Sequence, residues 1–313
     1  MIGAVDIGGT KIAVGAVDRD GRVLARTEAP TEAERGYPVG LEKISRMLGE
    51  VQRSAGAALE GIGVGSTGML YPMTGEFGDV DFLPGWQGYN PVRDLAQAFG
   101  VSVALENDGD AAALAEAFWG AGKGKSRLIY VTVGTGIGGG VILDGQLYRG
   151  VAMSHPEVGH HVIDASGPPC TCGFNGCWEA LAAGPAMEKW FEENCPSEER
   201  DGVPLTARRI CERARQGHQA ALRAVDREGY YLGLGLANLV TLFVPEVIVL
   251  GGGMMQSADL YLEKIRSVIQ SGCRFVPHQE TRIALASLGE DANLIGAAMT
   301  WRHRYESRTG TSR

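Results

Sequence analysis

The chain has 313 residues, 44% hydrophobic and 21% charged, with a formal net charge of −8. That length suits two domains of ordinary size in a soluble globular protein, and the negative charge argues against a nucleic-acid partner, which wants a basic face. No basic leader precedes the first strand pattern, and no apolar run approaches the ~20 residues of a membrane helix, so a cytoplasmic protein without membrane contact is expected.

Residues 4–23 read as strand, Gly-Thr turn, strand, Asp20-Gly21 turn and strand. Residues 41–58 carry apolar positions at helical spacing, 61–66 and 101–106 read as short buried strands, and 108–119 is Ala-rich and helical. Residues 128–148 repeat the opening plan, with Gly134-Thr135 in the first turn and Asp144-Gly145 in the second. Both Asp-Gly pairs read as two-residue hairpin turns. Helices are expected over 181–193, 205–216, 218–242 and 258–271. A buried strand over 246–253 ends in a Gly run, and a closing helix covers 291–303. The polar tail from Arg302 to Arg313 is expected to fray.

Two βββαβα-like halves describe a duplicated α/β fold of two lobes with a cleft between them. The expected division is a small N-terminal lobe over 1–119, rejoined by the closing helix at about 296–313, and a large lobe over 120–295. Ligands of open α/β sheets bind beyond the carboxyl ends of the strands, where the Gly turns would lie. A lone Gly turn serves any hairpin. Two at equivalent places in a repeat, with Gly251–Gly253 after a further strand, point to nucleotide phosphate.

Residues 155–179 hold a cluster of a different kind. Cys170, Cys172 and Cys177 fall within eight residues, with His160 and His161 upstream and Glu157 and Glu179 bracketing the group. One His and three thiolates form a closed tetrahedral set for structural Zn²⁺, and Gly173 and Gly176 permit the tight turn it needs. Spacing does not separate His160 from His161. Thiols grouped for metal suit a reducing cytoplasm. Cys195, Cys211 and Cys273 are scattered and read as ordinary thiols.

With these motifs the chain resembles the ROK family (repressors, uncharacterised reading frames and sugar kinases) of the actin-like ATPase superfamily, which has the ribonuclease H-like fold. The resemblance rests on Asp6-x-Gly-Gly-Thr-Lys11, Glu106-Asn-Asp108, Gly134-Thr-Gly-x-Gly-Gly-Gly140, Glu157-Val-Gly-His160 and Cys170-x-Cys-Gly-x-x-Gly-Cys-x-Glu179. It implies Asp108 as catalytic base, with Asn107, Glu157, His160 and Glu179 on the sugar hydroxyls. It implies His160, Cys170, Cys172 and Cys177 as zinc ligands. Asp6, Gly8, Gly9, Thr10 and Lys11 match the first phosphate loop, and Gly134, Thr135, Gly136 and Gly138 the second. Gly251, Gly252 and Gly253 lie where the family holds adenosine. The implied cofactors are ATP, Mg²⁺ and structural Zn²⁺, and the implied assembly is a homodimer or dimer of dimers. Repressors of the family carry a helix-turn-helix segment ahead of the first strand, where this chain opens, so the kinase branch fits better.

The chemistry agrees. Phosphoryl transfer leaves a protein mostly positioning and charge stabilisation, and Asp6 beside the first turn suits Mg²⁺ held through water. The plain alternatives are an N-cap for Asp108 and a hydrogen-bonded turn carboxylate for Asp6. Asp110, inside the helix, competes with Asp108 as base but would project elsewhere. The segment from Gly65-Ser-Thr-Gly68 to Gly85-Trp86 should line the sugar side, with Gly68 among the contacts. It departs from the family at Phe82, where many members have a sugar-contacting Asn. The expectation is an ATP-dependent hexose kinase making glucose 6-phosphate. The alternatives are another hexose or amino sugar (N-acetylmannosamine, N-acetylglucosamine, fructose, mannose) or a non-catalytic sugar sensor.

Overall fold

The opening residues form the expected meander. β1 (Ile2–Ile7) pairs antiparallel with β2 (Lys11–Val17), and β2 with β3 (Val23–Pro30). β1 and β2 are apolar on both faces and buried, whereas β3 alternates half-buried and exposed residues, as a sheet edge does. The turn between β2 and β3 corrects the expectation of a two-residue Asp20-Gly21 hairpin. The connection spans residues 18–22, because the Asp18 carboxylate accepts hydrogen bonds from the N–H groups of Asp20 and Arg22, both at 2.9 Å. Asp144-Gly145 is the tight pair expected, with φ of 51° and 77°.

The computed structural model describes residues 1–79, 82–195 and 205–306. Its contacts define two units: Met1–Ser126 with Gly140–Pro156 and Ala286–Arg313, and Arg127–Gly139 with Glu157–Leu285.

In the first unit the meander continues into β4 (Gly61–Ser66) and, after the small hairpin of β5 (Leu70–Tyr71) and β6 (Glu76–Phe77), into β7 (Ser102–Asn107). The strand order is β3-β2-β1-β4-β7, with β1, β4 and β7 parallel. Asp6, Gly65 and Glu106 stand side by side, as do Ile7, Ser66 and Asn107, so the three parallel strands end on one edge. α1 (Tyr37–Ala55) and α2 (Pro91–Phe99) enclose one apolar cluster around Val5, Ile7, Leu48 and Leu105. α1 begins earlier than the expected 41 because Pro38 sits in its first turn, where no amide N–H is needed. α3 (Asp108–Phe118) follows β7 directly.

The closing helix, the ninth α-helix in chain order among the described residues, is α9 (Ala292–Tyr305). It starts before 296, and residues 307–313, where its end and the tail were expected, lie outside the described residues. It packs on the opposite sheet face with Ile2, Ala4 and Ala104. Glycine makes that contact possible. Gly61, Gly63 and Gly65 point towards it, a Cβ at Gly63 would overlap the Ala297 carbonyl oxygen, and one at Gly61 would overlap the Trp301 indole.

In the second sheet the order is β10-β9-β8-β11-β12, from β8 (Leu128–Val133), β9 (Ile137–Leu143), β10 (Gln146–Leu147), β11 (Val247–Gly251) and β12 (Arg282–Leu285). β8, β11 and β12 run parallel. The helix expected over 181–193 is two helices, α4 (Trp178–Ala182) and α5 (Gly184–Asn194). Ala183 is extended between them, and Pro185 starts α5. The break frees the Gly184 N–H to donate to the Gly134 carbonyl at 2.8 Å. α6 (Ala207–Arg215), α7 (Gln219–Phe243) and α8 (Ala258–Gly272) fall close to their expected spans. Among the described residues no helix is long and apolar enough to cross a membrane.

Replacing Gly63 with Ala is expected to cost roughly 1–3 kcal/mol by forcing α9 off the sheet. A denaturant titration reads this as a lower midpoint, and an unchanged midpoint would refute the packing described.

Candidate functional site

On the carboxyl edge of β1, β4 and β7 the first unit assembles a set of acids and turns. Asp6 points to the α9 face and accepts a 3.0 Å hydrogen bond from the Asn293 side-chain amide. Its pKa is raised to about 6, mainly by burial; the Asp108 charge pushes the same way, and Asn293 and Lys11 oppose. The Gly8–Lys11 turn closes by a 2.9 Å bond from the Gly8 N–H to the Lys11 carbonyl. The Thr31 hydroxyl holds it, donating to the Gly8 carbonyl at 2.6 Å. Phe82 lies against Gly9, where a Cβ would stand 2.9 Å from the Phe82 Cβ, and its side chain is exposed. The Lys11 ammonium is drawn to Glu28 on β3, 3.1 Å away. Gly68, at φ 86°, turns the chain after β4.

Asn107 caps α3. Its Oδ1 accepts from the N–H groups of Gly109 at 2.8 Å and Asp110 at 3.4 Å. The capping role weighed for Asp108 therefore belongs to its neighbour, and Asp108 is the first helical residue, with Oδ1 accepting from the Gly109 N–H at 2.8 Å. The cap occupies the Asn107 oxygen, so its side-chain NH₂ is the group suited to a ligand.

In the second unit, His160, Cys170, Cys172 and Cys177 bring their ligand atoms within 4.8 Å of one another. Geometry separates the two histidines. His161 turns away, its Nδ1 2.6 Å from the Val158 carbonyl and its ring against Trp178. Gly173 and Gly176 have φ of 98° and 71°, and a Cβ at Gly176 would overlap the Asp164 carbonyl. Cys177 is the N-cap of α4 and is fully buried. Glu157 is exposed on the approach to His160, whose N–H donates to the Glu157 carbonyl at 3.0 Å.

The Gly134–Gly136 turn closes by a 2.9 Å bond from the Gly134 N–H to the Gly136 carbonyl. Thr135 is exposed at its tip, and Gly138 lies in β9 beyond it. Thr132 of β8 and Gly251 of β11 are register partners, which brings the two glycine turns together. Gly252, at φ 88°, lies against the Val133 backbone, and Gly253 begins the following turn. A cavity of about 440 Å³ opens beside Thr135, Cys170 and Glu179, lined further by Lys189, Trp190 and Arg227. Those last three were missed in the sequence, since nothing marks α5 and α7 side chains as neighbours of a distant turn.

The ROK family model matches residues 2–304. The chain belongs to the ROK family. A curated relative, the glucokinase of Thermotoga maritima, is 32% identical over 310 residues, covering 96% of each chain. A solved ROK hexokinase from Thermus thermophilus superposes with a TM-score of 0.83 at 37% identity over 99% of both chains. A ROK family glucokinase from Streptomyces griseus, solved with glucose and AMPPNP, gives 0.80 at 32% identity over 95% of this chain and 97% of that one. The fold is thus the actin-like ATPase fold of the ROK kinases.

Behind Asp108 this ROK chain carries a buried charge network that the sequence did not announce. Arg149 bridges Glu106 at 2.6 Å and Asp110 at 2.5 Å, and all three side chains are largely or wholly buried. Asp110 is therefore tied back to the loop after β10. Burial pushes Asp110 up to about 7 and raises Glu106, while Arg149 and the nearby His155 oppose both shifts.

Arg149→Met would strand two buried acids, at an expected cost of about 3–5 kcal/mol. Their folded-state pKa values would rise further. A carboxyl whose folded pKa is raised favours folding at low pH and loses that contribution as pH climbs through the folded value. The defect is therefore expected to be larger at pH 8 than at pH 5 in thermal unfolding, and a pH-independent defect would contradict the charge account.

Proposed function

We propose that this chain is an ATP-dependent sugar kinase whose preferred substrate is glucose, phosphorylated at O6. The observation that carries the reading is the pairing of Asp108 with Asp6 at the ends of parallel strands, beside the glycine turn of the same unit. Kinase relatives spanning the whole chain, among them the Streptomyces griseus glucokinase solved with glucose and AMPPNP, support it.

In this reading the Asp108 carboxylate takes the proton of the attacking hydroxyl as its oxygen bonds to the γ-phosphorus of ATP, and ADP departs with the electrons of the broken P–O bond. Asn107, Glu157, His160, Glu179 and Gly68 meet the sugar. The N–H groups of Gly8–Lys11 and of Gly134, Thr135, Gly136 and Gly138 approach phosphate, where no Cβ stands in the way. Gly251–Gly253 serve the adenosine. Asp6 would hold Mg²⁺ through water, and the cation would neutralise charge on the phosphates.

The cysteine cluster fits structural zinc. The sulfurs of Cys172 and Cys177 lie 3.4 Å apart, and Cys170 Sγ lies 3.4 Å from His160 Nδ1. A tetrahedral ion with Zn–S bonds of about 2.3 Å sets sulfurs about 3.8 Å apart. Burial first, then the adjacent thiols, push Cys177 up to about 12. A bound cation would reverse that shift and hold the thiolate. His160, Cys170, Cys172 and Cys177 would be the ligands.

Asp108→Asn is expected to lower kcat by about 10²–10⁴-fold, with sugar affinity by calorimetry nearly unchanged. Retained turnover in a coupled ADP-release assay would remove Asp108 from the base role. The same assay over glucose, mannose, fructose, N-acetylglucosamine and N-acetylmannosamine decides the sugar, and binding without turnover on any of them would make the chain a sensor. Elemental analysis is expected to find about one zinc per chain, lost together with thermal stability in Cys177→Ser.

A further inference from the structure

Ile137, the residue after the Gly134–Gly136 turn, is gripped on both sides by segments that carry the metal-ligand cluster. Its N–H donates to Glu179 Oε2 at 2.8 Å. Its carbonyl oxygen lies so close to Gly159 that a Cβ there would overlap it. Gly159 immediately precedes His160, and Glu179 is the second residue after Cys177. The span from Cys177 to Glu179 is stiff, because the intervening Trp178 is fully buried and its indole fills the place of a Cβ on Gly235.

The peptide between Gly136 and Ile137 is thereby tied at both ends. Its C=O accepts from the Gly134 N–H at 2.9 Å, and its N–H is held by Glu179. A peptide that follows a glycine flips at little steric cost. Flipped, it would turn its carbonyl oxygen towards the Glu179 carboxylate and give up the bond from the Gly134 N–H. The acceptor on Ile137 therefore keeps the turn in the form seen, with the shape that the kinase reading asks of a phosphate turn.

We propose that Glu179 is a positioning residue for the phosphate-side turn, and that the metal cluster sets nucleotide affinity through it. The kinase reading supplies the ligand's identity; the contact stands apart from it. One carboxylate oxygen of Glu179 is on Ile137, and in the kinase reading the residue would meet the sugar as well.

The test compares Glu179→Ala with Glu179→Gln in the full-length, metal-loaded protein. Calorimetry measures MgADP affinity without sugar, and amide hydrogen exchange follows Ile137. Glu179→Ala is expected to weaken MgADP by about tenfold or more and to speed exchange at Ile137. Glu179→Gln still offers an oxygen acceptor, so it keeps both near wild type while glucose affinity falls. Wild-type behaviour of Glu179→Ala in both readouts, or equal damage by the two variants, overturns the proposal. Chelating the metal from the wild-type protein is expected to speed Ile137 exchange, and unchanged exchange overturns the metal's part. A wild-type protein that binds no MgADP refutes the kinase reading instead, and the exchange comparison still decides whether Glu179 holds the turn.

Discussion

Main chain meets other groups without an intervening Cβ at several decisive places in this protein, each time across a glycine. Gly63 admits the Ala297 carbonyl of α9, Gly176 admits the Asp164 carbonyl inside the cysteine loop, and Gly159 admits the Ile137 carbonyl beside the second glycine turn. Even one added methyl would have no room, and neighbouring backbone cannot yield as a flexible side chain can. α9 brings Asn293 to Asp6, the cysteine loop aims His160 and Glu179, and the turn at 134–136 keeps its shape. Positioning on this scale is what phosphoryl transfer asks of a protein, since little covalent work is left to it.

The electrostatics follow from the same packing. Acids gathered at strand ends are desolvated, and desolvation raises Asp6, Glu106 and Asp110 together. Asp110 and Glu106 are steadied by one arginine, so the turn they flank, with Asn107 and Asp108 in it, has a rigid base. The Asp108 charge adds to the rise of Asp6, and a divalent cation would relieve that repulsion. In the proposed kinase role the glycine turns would meet phosphate with neutral N–H groups. Lys11, the cation nearest the first turn, is drawn to Glu28 instead.

Short-range chemistry was readable before any coordinates. The apolar runs of β1, β4 and β11 mark buried strands, and the Asp144-Gly145 pair marks a tight turn because both residues tolerate positive φ. The spacing of Cys170, Cys172 and Cys177 with two glycines marks a loop closed around one point. Readings failed where a hydrogen bond outside the regular ladders intervened, local or long-range. Asp18 widened the first hairpin turn, and the Gly184–Gly134 bond accompanies the break between α4 and α5. The four-residue strand β12 went unread because so short an element draws its order from the sheet it joins, whereas α2 went unread although Val92, Leu95, Ala96 and Phe99 stand at helical spacing.

What the sequence determined by itself is the inventory: which residues can ligate metal, which turns can approach phosphate, which strands lie buried, and the family to which they belong. Spacing left His160 and His161 level, family resemblance favoured His160, and tertiary structure turned His161 away from the thiols. Tertiary structure alone gave the helix cap to Asn107 rather than Asp108, joined Arg149 to Glu106 and Asp110, and set Glu179 on the Ile137 amide. The physical reason is range. Backbone preference and hydrophobic period act over a few residues, whereas an ion pair between positions 106 and 149, or a hydrogen bond between 137 and 179, exists only once each unit has folded.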